Sequence, residues 1–539
     1  MNNNRRKSNK RKSVKKSRSR IYKKLRNKKN DCPSKHVVNM EKHSKLRNKR
    51  SSKRNSKHVD VVNKEKHSKT SKHRSKRRSK RKLIIKKLFT DGTNNLSGGE
   101  AEPVSSSLLI ELPLDLIVLI TSYLSMKDQR TLSHCSKSYR KMLKDANLIR
   151  YKLSKESCMR YVNDLSFRDA VNSRGQVWEF ELVKHETLVD VTFLSRVHTL
   201  KLIECHNVID VSPLSLVHTL TLRVMSGVTD VSALGSVKNL TLTNLPEVKD
   251  VSALGSVDTL TLTNLPEVKD VSALGSVKTL TLDNLTGVKV VSALGTVHTL
   301  TLMNMDGVTD VSALSSVHDL TLSNMSGVKV VSDLGSVHTL TLYKLTGVTD
   351  VSALSSVHTL TLYWMSGVTD VSALSSVHTL TLNSMSGVKN VSALGSVHTL
   401  TLYDLEEVTD VSALSSVHTL TLTSMSGVTD VSALSSVHTL TLFYLPKVED
   451  VKALSSVHTL TLNYMSKVKD VSALGSVHNL TLDRMDGVKD VSALGTVDTL
   501  TLMNMDGVKV VSALGSVPNL IILKCKHLVN RNSTLDTKS

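Results

Sequence analysis

Twelve histidines stand at twenty-residue spacings in the C-terminal two-thirds of this chain: His198, His218, and then ten without a break from His298 to His478. Imidazoles so placed could ligate a metal, move protons or sense pH. Metal sites mix ligand types and are oriented by neighbouring acids. A file of identical rings about 4.8 Å apart, most of them followed by Thr, supplies neither, so no metal site is expected. Protonation near pH 6 would line like charges along one edge, and stability is expected to fall with pH. Serines and aspartates recur with the same period, which duplication explains better than catalytic triads do. No P-loop, glycine-rich dinucleotide fingerprint or HExxH is present, so neither an enzyme nor a cofactor is expected. The five cysteines, Cys32, Cys135, Cys158, Cys205 and Cys525, are odd in number and form no CxxC pair, which argues against disulfides and zinc.

Charge is unevenly distributed. The whole chain carries a formal +25, yet residues 1–87 hold 37 Lys and Arg against Asp31, Glu41, Asp60 and Glu65, leaving the remainder net acidic. Residues 1–105 have almost no aromatics and too little apolar surface to offset chain entropy, so they read as a disordered basic low-complexity tail. Its densest run includes Lys76, Arg77, Arg78, Lys80, Arg81 and Lys82, a candidate nuclear-import address. Such a run also grips phosphates without sequence preference, which makes non-specific nucleic acid a candidate partner of residues 1–87. Only Tyr22 offers a stacking ring, which weighs against single-strand recognition. The longest apolar stretch, near Leu116–Leu124, is too short and interrupted to span a bilayer, so no membrane association is expected and the protein is placed inside a cell, in cytoplasm or nucleus.

Beyond Ser105 the pattern becomes helical. Leu116, Leu119, Ile120, Tyr123 and Leu124 share a face at spacings of three and four, behind Pro113 at a first helical position and Asp115 at the positive end of the helix dipole. Further short helices are expected from about Lys127 to Lys137 and from Tyr139 to Leu148. Three such helices make a marginal core that a partner would share. Leu112, Pro113, Asp115, Leu116, Ile117, Ile120, Tyr123, Leu124, Asp128, Leu132, Ser136, Lys137, Tyr139 and Arg140 follow the F-box pattern, and residues 106–150 resemble that family. The resemblance implies docking to a Skp1-like adaptor of a cullin ligase through Leu112, Pro113, Leu116, Ile117, Ile120, Leu124 and Leu132.

A helical linker is expected over 151–176 and an irregular capping repeat over 177–190. In the latter, Phe180 and Leu182 should point inward and Trp178 outward, closing the end with Tyr161, Phe167 and Phe193. From Val191 to Asn530 seventeen units of twenty residues follow, with consensus VSALSSVHTLTLxxMSGVTD, and residues 531–539 form a tail. Counting Val191 as position 1, apolar residues recur at positions 1, 4, 7, 10, 12, 15 and 18. The LxxLxLxxMxxV core resembles the leucine-rich repeat, with Cys205 and Cys525 where cysteine-type members carry Cys. The fold class implied is a leucine-rich-repeat solenoid, with parallel strands on the concave side and 3-10 turns or loops on the convex side. Asp at position 20 can bond turn amides, Ser at position 2 can cap the helical turn, and Asp is lost at Val290, Val330 and Val510. No C-terminal cap is evident.

Every aromatic after Phe193 falls at position 13 or 14: Tyr343, Tyr363, Trp364, Tyr403, Phe443, Tyr444 and Tyr464. These positions should face outward at the strand end, where Tyr and Trp favour interfaces, so the seven form the candidate target-binding set. Drift of β-favouring residues into variable positions is the competing explanation. The combination resembles F-box/leucine-rich-repeat proteins, including members from giant DNA viruses. It implies a subunit that selects a protein target for a Skp1–cullin ligase. The alternatives are an interaction scaffold without a ligase, or a nuclear, nucleic-acid-associated protein led by its tail.

Overall fold

Where Thr and Leu alternate, both leucines reach one side only if the backbone is extended. The computed structural model, which describes residues 150–173, 177–509 and 511–525, makes each TLTL segment a five-residue strand. Strand β1 spans Arg150–Lys152 and β2 spans Val177–Val183; β3 (Thr199–Ile203) through β19 (Asn519–Leu523) then recur every twenty residues. All nineteen join one parallel sheet in chain order. The register sets residue i beside i+20, as with Leu340 and Leu360 or Tyr343 and Tyr363.

The seven apolar positions form the core. In one unit Val351, Leu354, Val357, Leu360, Leu362, Met365 and Val368 are all buried. Burial of each such side chain contributes about 1.5–3 kcal/mol, but only because the turns on either side cover it. Between strands runs a 3-10 turn such as Ser352–Ser356, closed by bonds from Leu354 N–H to Val351 O and from Val357 N–H to Leu354 O. Too few residues remain for an α-helix, and the expected convex 3-10 side is what forms.

Asp at position 20 caps this turn: Asp350 Oδ1 accepts the Ser352 N–H at 2.8 Å. That bond, with a second from the Ser352 hydroxyl, holds the Asp350 carboxyl below its ordinary range. Ser at position 2, expected to cap, instead supplies the capped amide, because it sits one residue inside the turn and Val351 holds the cap position. Val290 and Val330 leave this place without an acceptor and are themselves exposed, while Val510 lies outside the described residues. A further stitch had no counterpart in the sequence reading. The position-6 hydroxyl donates to the position-5 carbonyl of the preceding unit, as from Ser356 Oγ to Gly335 O at 2.8 Å.

At the N-terminal end, helices α1 (Lys155–Asn163) and α2 (Leu165–Asn172) cover the first strands, capped by Ser154 and Asp164 respectively. Tyr161 is buried, with its ring 4.6 Å from Phe180 and 6.2 Å from Phe193, and its hydroxyl donates to Asn172 Oδ1 at 2.7 Å. Arg168 lies 3.9 Å over Phe193 and donates to the carbonyls of Tyr161 and Val162. Two expectations change here. The segment 151–176, expected as a helical linker, holds two helices but begins with the end of β1, which pairs with β2. Trp178, expected outward, is half-buried against the core on the side of Phe180 and Leu182, since residues two apart in a strand share a face. At the other end Leu520 and Ile522 are only half-buried and Ile521 is exposed, so β19 lacks the cover every inner strand has. Among the described residues no helix is long and apolar enough to cross a membrane.

Candidate partner-binding face

Threonines at positions 9 and 11 form two outward rows, and position 13 ends each strand. Position 14 does something the sequence reading missed. Its backbone is left-handed in every unit and in β2's own turn, with φ between 51° and 57° from Lys184 to Lys524, and none of these residues is Gly. Its N–H still joins the ladder, as Trp364 N–H does to Asn383 O at 3.0 Å, and the kink then swings position 15 back into the core. An L-residue forced left-handed costs about 1–2 kcal/mol, and Asn tolerates it best after Gly.

Asn fills this place from Asn244 to Asn324, five units in succession, and its amides bridge the turns. Asn284 Nδ2 donates to Asn264 Oδ1 at 2.9 Å and Asn324 Nδ2 to Asn304 Oδ1 at 2.6 Å. That run of Asn was the signal in the sequence that could have revealed the left-handed backbone. Beyond it the same place carries Trp364, Tyr444 and Tyr464. Drift of β-favouring residues therefore does not account for these three, because the backbone there is not β.

The aromatics group in two sets. Tyr343 and Tyr363 stack with centroids 5.0 Å apart, and Trp364 meets them at 5.4 Å and 5.2 Å. Burial beside Tyr363 raises the Tyr343 phenol above its ordinary value. In the second set Phe443 and Tyr464 meet edge to face at 5.6 Å, and Arg484 lies 4.9 Å from the Tyr464 centroid. Buried Asp483 fixes that arginine through Nη1 at 2.9 Å while accepting from Asn463 and Asn504. Tyr444 makes no ring contact among the described residues, and it and Trp364 are the exposed members, at 41% and 46%. Tyr403 falls between the two sets along the chain.

The histidine file is as regular as its spacing implies, with neighbouring centroids 4.6–4.8 Å apart from His298 to His478. Most Nδ1 atoms lie 3.2 Å from the Oγ1 of the next Thr, as at His378. His478, which Asn479 follows, pairs with Asp498 instead, and a further rung departs in another way. Position 9 there is Asp319, whose carboxylate lies 3.0 Å from His318 Nδ1 and 4.0 Å from His298 Nδ1 and accepts from Thr299 Oγ1 at 3.3 Å.

Residues 109–151 match the family model of the F-box domain. The chain joins an F-box to a leucine-rich-repeat solenoid. All seven adaptor-docking candidates of this F-box/leucine-rich-repeat chain, from Leu112 to Leu132, fall within that match, but they lie outside the described residues, as does the import run Lys76–Lys82. No curated protein matches the chain. Among solved structures it is similar to an internalin of Listeria monocytogenes, at 17% identity and TM-score 0.26, covering 68% of this chain and 93% of that one. It is similar also to the functional domain of InlJ from the same bacterium, at 17% identity and TM-score 0.33, covering 55% and 70%. A leucine-rich-repeat protein of Leptospira interrogans matches at 14% identity and TM-score 0.37, covering 71% and 99%. The repeat register and burial described above, rather than these likenesses, carry the fold.

Proposed function

We propose that this protein is the substrate-recognition subunit of a Skp1–cullin–F-box ubiquitin ligase, and that its solenoid captures the target through the aromatic-bearing strand ends. The F-box match at residues 109–151, in a chain whose repeat array begins at Val191, carries the ligase half of this reading. The target half rests on Trp364, Tyr444 and Tyr464 occupying a left-handed position that costs them stability, since strain retained on an exposed surface points to use. Tyr343 and Tyr363 brace Trp364, while Phe443 and the Asp483–Arg484 pair brace Tyr464, so the rings are presented in fixed orientations. No catalytic group is required in such a subunit, whose work is to bring a target beside a ligase.

The test uses the full-length chain and purified Skp1 with the cullin scaffold. Wild type is expected to co-elute with the adaptor and L116D/I117D not to, with solenoid circular dichroism unchanged. Equal retention of both proteins, or of neither, refutes the ligase half. In affinity purification, Y363S/W364S/Y444S should lose the target proteins while keeping the adaptor; targets retained by this variant refute the aromatic half.

A further inference from the structure

A metal in a uniform histidine file fails for want of a second ligand type. Asp319 supplies that ligand at one rung. One ring nitrogen of His298, one of His318 and an Asp319 carboxylate oxygen lie within 4.8 Å of one another, and among the described residues this is the one group of three such side chains that does so. We propose that His298, His318 and Asp319 form a binding site for a divalent first-row transition ion of the zinc, nickel or copper class.

Bonds of about 2.0–2.2 Å place tetrahedral donors roughly 3.3 Å apart. The His318 Nδ1–Asp319 Oδ1 separation of 3.0 Å already meets this; His298 Nδ1 lies 4.0 Å from Oδ2, and bringing it to the same ion takes a turn of the His298 ring out of its stack with His318. Both side chains are about half exposed, at 55% and 50%, which leaves the rings room to turn on their open side. Two imidazoles and a carboxylate suit these ions rather than magnesium or calcium, which take oxygen. The Thr299 hydroxyl, donating at 3.3 Å, orients the carboxylate from outside the ligand set. Three protein ligands leave a coordination position open, so the bound ion would exchange and could share a donor from a second molecule. The other rungs show why the acid decides. His358 and His378 stack at 4.7 Å just as His298 and His318 do, but Thr379 stands where Asp319 would.

Isothermal titration of the full chain with Zn²⁺ tests this, with three proteins matched by circular dichroism. Asp319→Thr restores the residue most units carry at position 9 and is compatible with the fold. It should lose one equivalent, or bind that equivalent at least tenfold more weakly. Thr379→Asp should gain one equivalent, through His358 and His378. Ions held by the other histidines and cysteines of the chain are common to all three proteins and cancel in the differences. Bound Co²⁺ should give the visible absorption of a low-symmetry site in wild type, less of it in Asp319→Thr and more in Thr379→Asp. Loss of the equivalent in the first variant together with its gain in the second supports the site; absence of either difference overturns it.

Discussion

Replacing Tyr444 by Asn should make the solenoid more stable while weakening target capture. Tyr444 has φ 54°, makes no ring contact among the described residues and is 41% exposed, so little packing is lost with its ring. A left-handed L-residue costs about 1–2 kcal/mol and Asn escapes most of it, so Y444N should gain about 1 kcal/mol. Ala lacks the short polar side chain that eases this conformation, which makes Y444A the control that removes the ring and keeps the strain. The expected order of urea midpoints is therefore Y444N above Y444A, with wild type close to Y444A. Amide exchange should localise the gain, because Tyr444 N–H bonds to Asn463 O at 2.9 Å and that bond opens when the turn does. Trp364 gives an internal contrast. Its contacts with Tyr343 and Tyr363 contribute about 0.5–1.5 kcal/mol each, so W364N should come out near zero or below. A Y444N midpoint equal to or below that of Y444A would refute the conformational argument.

Lowering pH should weaken the repeat array. Loss of solvent, and then the charges of His458 and His418, hold His438 below the ordinary imidazole value. The unfolded chain then binds more protons, so stability is full above the unfolded value near 6.5 and falls as pH drops through it. Urea midpoints unchanged between pH 7.5 and 5.5 would contradict it. Val330→Asp should restore the turn cap that Asp350 provides in its own unit, raising the midpoint by an amount equivalent to about 0.5–1 kcal/mol. A lowered midpoint would show that the cap is not limiting there. Removing residues 1–87 takes away more than the whole excess of positive charge and leaves a net acidic chain, so any binding to mixed-sequence DNA should vanish, and in the full chain it should weaken steeply with salt. Binding that survives the deletion would place the nucleic-acid contact elsewhere.

Most of the fold was legible because one period governs it. Apolar residues at positions 1, 4, 7, 10, 12, 15 and 18 fix which side chains go inside, and a twenty-residue unit leaves room only for a strand, two turns and a 3-10 segment. The misses came where periodicity says nothing. Strand β1 is three residues long and its pairing with β2 depends on tertiary contact, beyond the reach of local pattern. Capping depends on which residue occupies the last non-helical place, a matter of backbone angle, and so Asp350 took the role expected of Ser352. The twenty-residue period puts the candidate binding residues at positions 13 and 14 without distinguishing the two, and the backbone separates them.

That separation narrows the case for a binding face. Tyr343, Tyr363, Tyr403 and Phe443 stand on extended backbone at strand ends, where an aromatic is comfortable whether or not it is used. Trp364, Tyr444 and Tyr464 stand on left-handed backbone, where six other units have Asn. An aromatic at the first kind of place needs no explanation from function; at the second kind it does, because the fold alone would favour replacing it. The triple variant W364N/Y444N/Y464N therefore discriminates as no single loss can. If these rings serve only the fold, the variant loses stacking at Trp364 and Tyr464 and gains nothing elsewhere in function. If they serve a partner, target capture fails in a protein whose repeats melt no earlier than wild type, the relief of three left-handed strains offsetting the lost ring contacts.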